Sequence, residues 1–197
     1  LLALLAGCTN SKVTESYVDK ELLERDLEGV LVVAVTKTQA ARKDFEAAFA
    51  KAIDKRGARA VASFELVEAR EPSAETIIQA AADAGLDTIL VTRYIGENRE
   101  EVYHPGRIYY GIAPVYGPGY YGGFDGYYGH AYEIAYEQPV WSANVTHTLV
   151  SDLYIAATKE HIWQAVSETV QSSGNTKLRN DAISALIGDL KAQGLLP

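Results

Sequence analysis

The stretch VLVVAV, Val30 to Val35, decides how this chain folds. Six apolar residues follow one another with no polar alternation, so a strand built from them is buried on both faces. That is the signature of a sheet with parallel pairing, covered by helices on either side. Working outward, Thr36 or Thr38 can cap a following helix in which Ala41, Phe45, Ala48, Phe49 and Ala52 form one apolar stripe. Gly57 is placed to end that helix in the left-handed conformation. Residues 59–66, RAVASFEL, read as a second strand. Ser73 caps a second helix with Ile77, Ile78 and Ala81 facing inward, and Gly85 closes it. TILVT, residues 88–92, reads as a third strand continuing to Tyr94. Strand, helix, strand, helix, strand is the order of right-handed crossovers.

The second half has a different character. Residues 97–107, ENREEVYHPGR, carry charge and a turn. Residues 103–136 hold ten of the 13 tyrosines and eight of the 16 glycines, which marks an insertion unlike an inert connector. Beyond it, residues 141–154 alternate, with Trp141, Ala143, Val145, His147, Leu149 and Leu153 on one parity. A turn at Ala157-Thr158-Lys159-Glu160 joins this run to 161–170, predicting an antiparallel hairpin. Asn175 or Thr176 caps a last helix with Ala182, Ile183, Leu186, Ile187 and Leu190 inward, stopped by Gly194 and Pro197. The expected fold is a single α/β domain of order β-α-β-α-β-β-β-α, with a mixed sheet of about five strands.

Composition narrows the function classes. The 197 residues suit one domain with a sizeable core, and 26 acidic against 18 basic residues leave a formal charge of −8. No run of basic residues occurs, which disfavours nucleic acid as a partner and electrostatic docking on an anionic bilayer. No apolar run approaches the roughly 20 residues of a spanning helix. The sequence has no methionine, so the chain is expected to lack its natural start.

The one cysteine, Cys8, precedes every recognisable element and has no core to enter. It allows neither an intramolecular disulfide nor a zinc site built from several thiolates. Leu5-Ala6-Gly7-Cys8 resembles the lipobox of bacterial lipoproteins, with residues 1–7 as the remnant of a signal peptide. The resemblance implies cleavage before Cys8 and lipidation of its thiol, the small Ala6 and Gly7 suiting the peptidase cleft. Thr9, not Asp, would then be the second mature residue, which by the same resemblance implies sorting to the outer membrane of a Gram-negative cell. Residues 8–28 read as the lipidated cysteine and a polar tether, and 29–197 as the folded domain with its insertion at 103–136.

Few patterns carry chemistry. Gly117 to Gly122, GPGYYG, matches a dinucleotide-binding fingerprint in letters only, since neither a strand nor a helix adjoins it. The histidines His104, His130, His147 and His161 never fall at metal-ligand spacing. His130 with Asp125, and the acidic run Glu97, Glu100 and Glu101, are the only candidates for acid–base work, and both read better as solvated groups. No metal, no cofactor and no catalytic residue is assigned. Tyr109, Tyr110, Tyr116, Tyr120, Tyr121, Tyr127 and Tyr128 are the candidate binding residues, because tyrosines offer large amphipathic area beside adaptable glycines. A structural lid over the sheet is the competing reading of that insertion.

The stretches VLVVAVTKTQAARKDFEAAFAKAI, DAGLDTILVTRYIG and LVSDLYIAATKEHIWQAV resemble a group of little-characterised envelope lipoproteins. In that group the hairpin turn reads Asp-x-x-Thr-Gly-Lys, and here the glycine is missing. The order of elements is also similar to the amino-terminal domain of the Tol translocation protein. It is similar as well to lipoprotein domains of curli secretion and penicillin-binding-protein activation. These resemblances imply a non-enzymatic adaptor or assembly factor, held in the bilayer by the lipid on Cys8 and binding an envelope protein or glycan. The alternative is a hydrolase acting on envelope glycan or peptide.

Overall fold

A computed structural model describes residues 10–19, 29–104, 140–172 and 174–197. The chain divides into two compact units, Leu1–Asn98 with Val145–Pro197, and Arg99–Asn144. Of the second, the described residues are 99–104 and 140–144, the distal part of one strand and the start of another.

The fold is α/β. Six strands, β1 (Ser11–Val18), β2 (Val30–Val35), β3 (Ala60–Ala62), β4 (Thr88–His104), β5 (Val140–Ile155) and β6 (His161–Val170), form one mixed sheet in the order β1-β6-β5-β4-β2-β3. β2 runs parallel to both β3 and β4, while β6 is antiparallel to β5 and β1. The described helices are α1 (Gln39–Asp54), α2 (Ser63–Leu66), α3 (Ala74–Asp83) and α4 (Asn175–Ala192).

β2 behaves as its sequence demands. Val30 and Val32 enter a core cluster with Phe49, Ala50 and Ile53 of α1 and Ile183, Leu186, Ile187 and Leu190 of α4. Leu31 and Val33 enter a second cluster on the opposite face with Ile77 and Ala81 of α3. The connections from β2 to β3 and from β3 to β4 travel in opposite directions along the sheet. Connections of one hand therefore place α1 and α3 on opposite faces. Each fully buried Val or Leu contributes roughly 1.5–3 kcal/mol, so Val30 to Val33 tie β2 to both clusters.

Thr38 caps α1, its Oγ1 accepting the Ala41 N–H at 3.2 Å, and Ser73 caps α3 by accepting the Thr76 N–H at 3.2 Å. Gly57 (φ 90°) and Gly85 (φ 63°) end the two helices in the left-handed region.

Several expectations are corrected. The sheet has six strands because 11–18, read as part of a tether, forms the edge strand β1 against β6. Only Ser11, Val13 and Val18 of that strand are buried in any degree, and a bulge between Val13 and Glu15 breaks the period of two. The second strand stops after Ala62, and 63–66 coil into α2. The Glu46 carboxylate accepts the Ser63 hydroxyl and the Phe64 N–H at 2.8 Å each, which starts a helical turn where the strand would have continued. β4 runs past Tyr94 to His104; its side chains from 97 to 101 are exposed on both faces, so no apolar alternation announces it. α4 begins after Gly174 with no side-chain cap, not under Asn175 or Thr176.

The buried stripe of α1 is also turned by about one residue. It consists of Arg42, Glu46, Phe49, Ala50 and Ile53, with Phe45, Ala48 and Ala52 half-buried at its margin and Ala41 exposed. Arg42 and Glu46 are 3 % and 0 % exposed and form an ion pair at 2.9 Å. Glu46 Oε1 also accepts the Ala34 N–H at 2.9 Å, and Arg42 donates to Ser63 Oγ at 2.7 Å and to the Ala69 carbonyl at 2.5 Å. A charged pair at this depth persists only when its hydrogen bonds are met, as they are here.

The hairpin of β5 and β6 is present. Its loop closes with Lys159 at φ 64°, so the lysine holds the left-handed position where the resembling family carries glycine. The Lys159 N–H donates to the Ile155 carbonyl and the Ile155 N–H to the Glu160 carbonyl, both at 2.9 Å.

Candidate functional site

One face of the strands β5, β6 and β1 lies under α4. There Leu153 pairs with Trp163 and Ser151 with Ala165, and the Trp163 indole donates to Asp189 of α4 at 2.8 Å. The opposite face carries the other parity, Asp152 paired with Gln164 and Tyr154 with His161, and no described helix covers it. α3 shares this face but packs over β2 and β4, through Leu31, Val33 and Ile89. Of the large apolar side chains left exposed, Tyr17, Val35, Ile95 and Val170 fall on this parity, which singles it out as a contact face.

Its centre is an aromatic and polar cluster. Asp152 is largely buried, and its Oδ1 accepts Gln164 Nε2 at 2.6 Å and His161 Nε2 at 3.2 Å. A carboxylate can only accept here, so the His161 Nε2 carries the proton. The imidazole lies parallel to the Tyr17 ring, 5.9 Å between centroids and 4° between planes, and meets the Tyr154 ring at 5.0 Å. Cross-strand pairs of this kind hold the sheet and expose flat ring faces at once. Burial raises the Tyr154 phenol above its ordinary range; the nearby Asp152 charge adds to this and Arg93 opposes it. Rings for stacking beside a carboxylate, an amide and a guanidinium suit recognition of a polar partner.

The residues singled out from the sequence fare unequally. Cys8, Asp125, His130 and the tyrosines Tyr109, Tyr110, Tyr116, Tyr120, Tyr121, Tyr127 and Tyr128 lie outside the described residues. Glu100 and Glu101 are successive positions of β4, so they point to opposite faces and cannot act as a carboxylate pair. Glu97 lies 3.8 Å from His147 Nδ1, but that imidazole is already engaged, with Tyr94 Oη at 3.3 Å from Nδ1 and Gln171 Oε1 at 3.1 Å from Nε2. Burial and the Glu97 charge raise the Tyr94 phenol. Among the described residues no three His, Cys, Asp or Glu side chains gather as a metal site would need. Tyr17, Asp152, Tyr154, His161 and Gln164 were missed. The signal was there in the even-numbered residues of β5, the parity opposite the apolar one.

No protein-family model matches the sequence, and no curated protein matches it. Among solved structures the chain is similar to a PelC dodecamer subunit from Paraburkholderia phytofirmans, at 12% identity and a TM-score of 0.49, over 91% of this chain and 96% of that one. It is also similar to lipoprotein GNA1162 from Neisseria meningitidis, at 12% identity and a TM-score of 0.43, over 83% of this chain and 98% of that one. Likeness at this level concerns the fold, and it transfers no residue role.

Proposed function

We propose that this is a non-catalytic lipoprotein, anchored through Cys8 in the outer membrane and facing the periplasm, that binds an envelope protein or glycan as an adaptor. The observation that carries the binding role is the face of β1, β6 and β5 that no described helix covers, with Tyr17, Tyr154, His161, Asp152 and Gln164 grouped on it. The anchor rests on the lipobox resemblance of Leu5-Ala6-Gly7-Cys8. Among the described residues no helix is long and apolar enough to cross a membrane. The tyrosine and glycine insertion is a second recognition surface in this reading.

Two experiments test the proposal. Full-length protein should incorporate labelled palmitate and fractionate with outer membrane, and Cys8→Ser should abolish both; a Cys8→Ser variant that stays membrane-bound would falsify the anchor. For binding, Tyr17→Ser should melt near the parent, since its ring is exposed, yet lose capture of envelope protein or isolated glycan. Replacing Tyr120, Tyr121, Tyr127 and Tyr128 with Ser should do the same. Variants that melt like the parent and capture as well as it does would overturn the binding role.

A further inference from the structure

The sequence shows no run of basic residues, but folding assembles a basic groove. α1 and α4 lie side by side on one face of the sheet, and between them is a groove of about 700 Å³. Ala47, Ala48, Ala52, Ile183 and Ile187 line it with apolar surface, Asn180 and Ser184 add polar groups, and Lys51, Lys55, Arg56 and Arg179 supply four cations against the one carboxylate of Asp44. Among the described residues, none of those four cations is in ion-pair contact with a carboxylate. In a chain of charge −8, four cations without acidic partners in one groove are out of keeping with the rest of the surface.

Helix electrostatics explain only part of this. Lys51 lies in the last turn of α1 and Lys55 is its C-cap, where the helix dipole favours a cation. Arg179 stands early in α4, near the helix end where the dipole opposes one. Its guanidinium is held by neutral acceptors, the Asp44 carbonyl at 3.3 Å and Asn180 Oδ1 at 3.2 Å, and not by a carboxylate. The groove falls in the size range of small-molecule sites, roughly 300–1,000 Å³.

We propose that the groove binds a small soluble phosphomonoester. Three positive charges in excess match a dianionic phosphate better than a single carboxylate, and guanidinium and ammonium donors suit its oxygens. Asn180 and Ser184 can bond hydroxyls on the body of the ligand, which rests on the alanine floor. Range decides between a soluble ligand and an anionic bilayer. A small ligand in the groove senses charge within a Debye length of about 8 Å, where the cations dominate. A bilayer surface would meet the whole chain and its net −8, which repels it. This site is separate from the open face of β1, β6 and β5, and it does not depend on the proposal made for that face.

The test uses the full chain carrying Cys8→Ser, so that no acyl group confounds a vesicle arm. Calorimetric titration at low salt compares glucose phosphate, inorganic phosphate and glucose, and co-sedimentation uses phosphatidylglycerol vesicles. Glucose phosphate should bind, inorganic phosphate more weakly, and glucose not at all. Lys51→Gln with Lys55→Gln and Arg179→Gln should weaken glucose phosphate at least about tenfold, because the charge-assisted bonds to the phosphate are lost. A second variant, Lys51→Gln with Lys55→Gln alone, leaves the Arg179 bonds intact and should show an intermediate loss of affinity, with no more than the small drop in melting temperature that losing two cations at a helix C-terminus brings. No binding of either phosphate probe, equal binding of glucose, or unchanged affinity in both variants would overturn the proposal. Vesicle binding that needs the same cations, without binding of glucose phosphate, would overturn it in favour of a lipid surface.

Discussion

Replacing Glu46 with Gln should cost the fold about 3–5 kcal/mol, the usual penalty for breaking a buried ion pair from one side. The carboxylate is fully buried and accepts four hydrogen bonds: Ala34 N–H, Arg42 Nε and Ser63 Oγ at Oε1, and Phe64 N–H at Oε2. A glutamine keeps the shape but has one carbonyl oxygen. With that oxygen at the Oε1 position, its NH₂ faces the Phe64 N–H, donor against donor, and Arg42 loses its counter-charge. The unpaired N–H alone is worth about 1–3 kcal/mol and forms part of the total. Against a typical domain stability of about 5–15 kcal/mol, this is a large fraction. Urea unfolding followed by tryptophan fluorescence, with buried Trp163 as one reporter, should show an earlier midpoint at unchanged slope. The double replacement Arg42→Met with Glu46→Met separates the pair from its backbone bonds. An isolated buried pair replaced by apolar residues is often neutral or stabilised by about 1–4 kcal/mol. Here the Ala34 and Phe64 N–H groups would be left without an acceptor, so the double variant should remain at least about 2 kcal/mol below the parent. A loss under about 1 kcal/mol for Glu46→Gln, or a double variant as stable as the parent, would refute this reasoning.

Phe49→Ala should cost about 3–5 kcal/mol because the ring is fully buried, while half-buried Phe45, packed edge-on against it at 5.8 Å, should cost roughly half as much; equal losses would mean that the helix is rotated from the orientation described. Lys159→Gly should stabilise by about 0.5–1 kcal/mol, since relief of the left-handed penalty outweighs the added freedom of the unfolded chain, and a lower melting temperature would contradict it. The Tyr154 phenol, raised chiefly by burial, should titrate lower in Asp152→Asn and higher in Arg93→Gln by ring-labelled NMR. Because the folded state holds this proton more tightly, the linked stability is complete below about pH 10, the ordinary tyrosine range, and is lost as pH rises through the folded value; a Tyr154→Phe variant with identical alkaline unfolding would contradict that.

Much of this protein was legible in the sequence wherever one short-range pattern has one physical meaning. VLVVAV read as a strand buried on both faces, as Val30 to Ala34 are, and Ser73 with one of Thr36 and Thr38 announced α3 and α1 through hydroxyls that reach just three residues on. Charge and composition disfavoured nucleic acid, and Cys8 raised the question of a lipid anchor from sequence alone. What escaped the sequence depends on residues far apart along the chain. Ser11–Val18 is a strand because β6 offers it an edge, although its own side chains carry little apolar signal. Arg42 and Glu46 look like solvent-facing helix residues until Ala34, Ser63, Phe64 and Ala69 supply the bonds that make burial affordable. The cluster of Tyr17, Asp152, Tyr154, His161 and Gln164 joins three strands, and the basic groove joins residues 51 to 56 with 179. Local sequence sets what a segment can bury. Only the tertiary structure decides which polar groups meet, because hydrogen bonds and ion pairs act over a few ångströms between partners that the chain itself keeps up to more than a hundred residues apart.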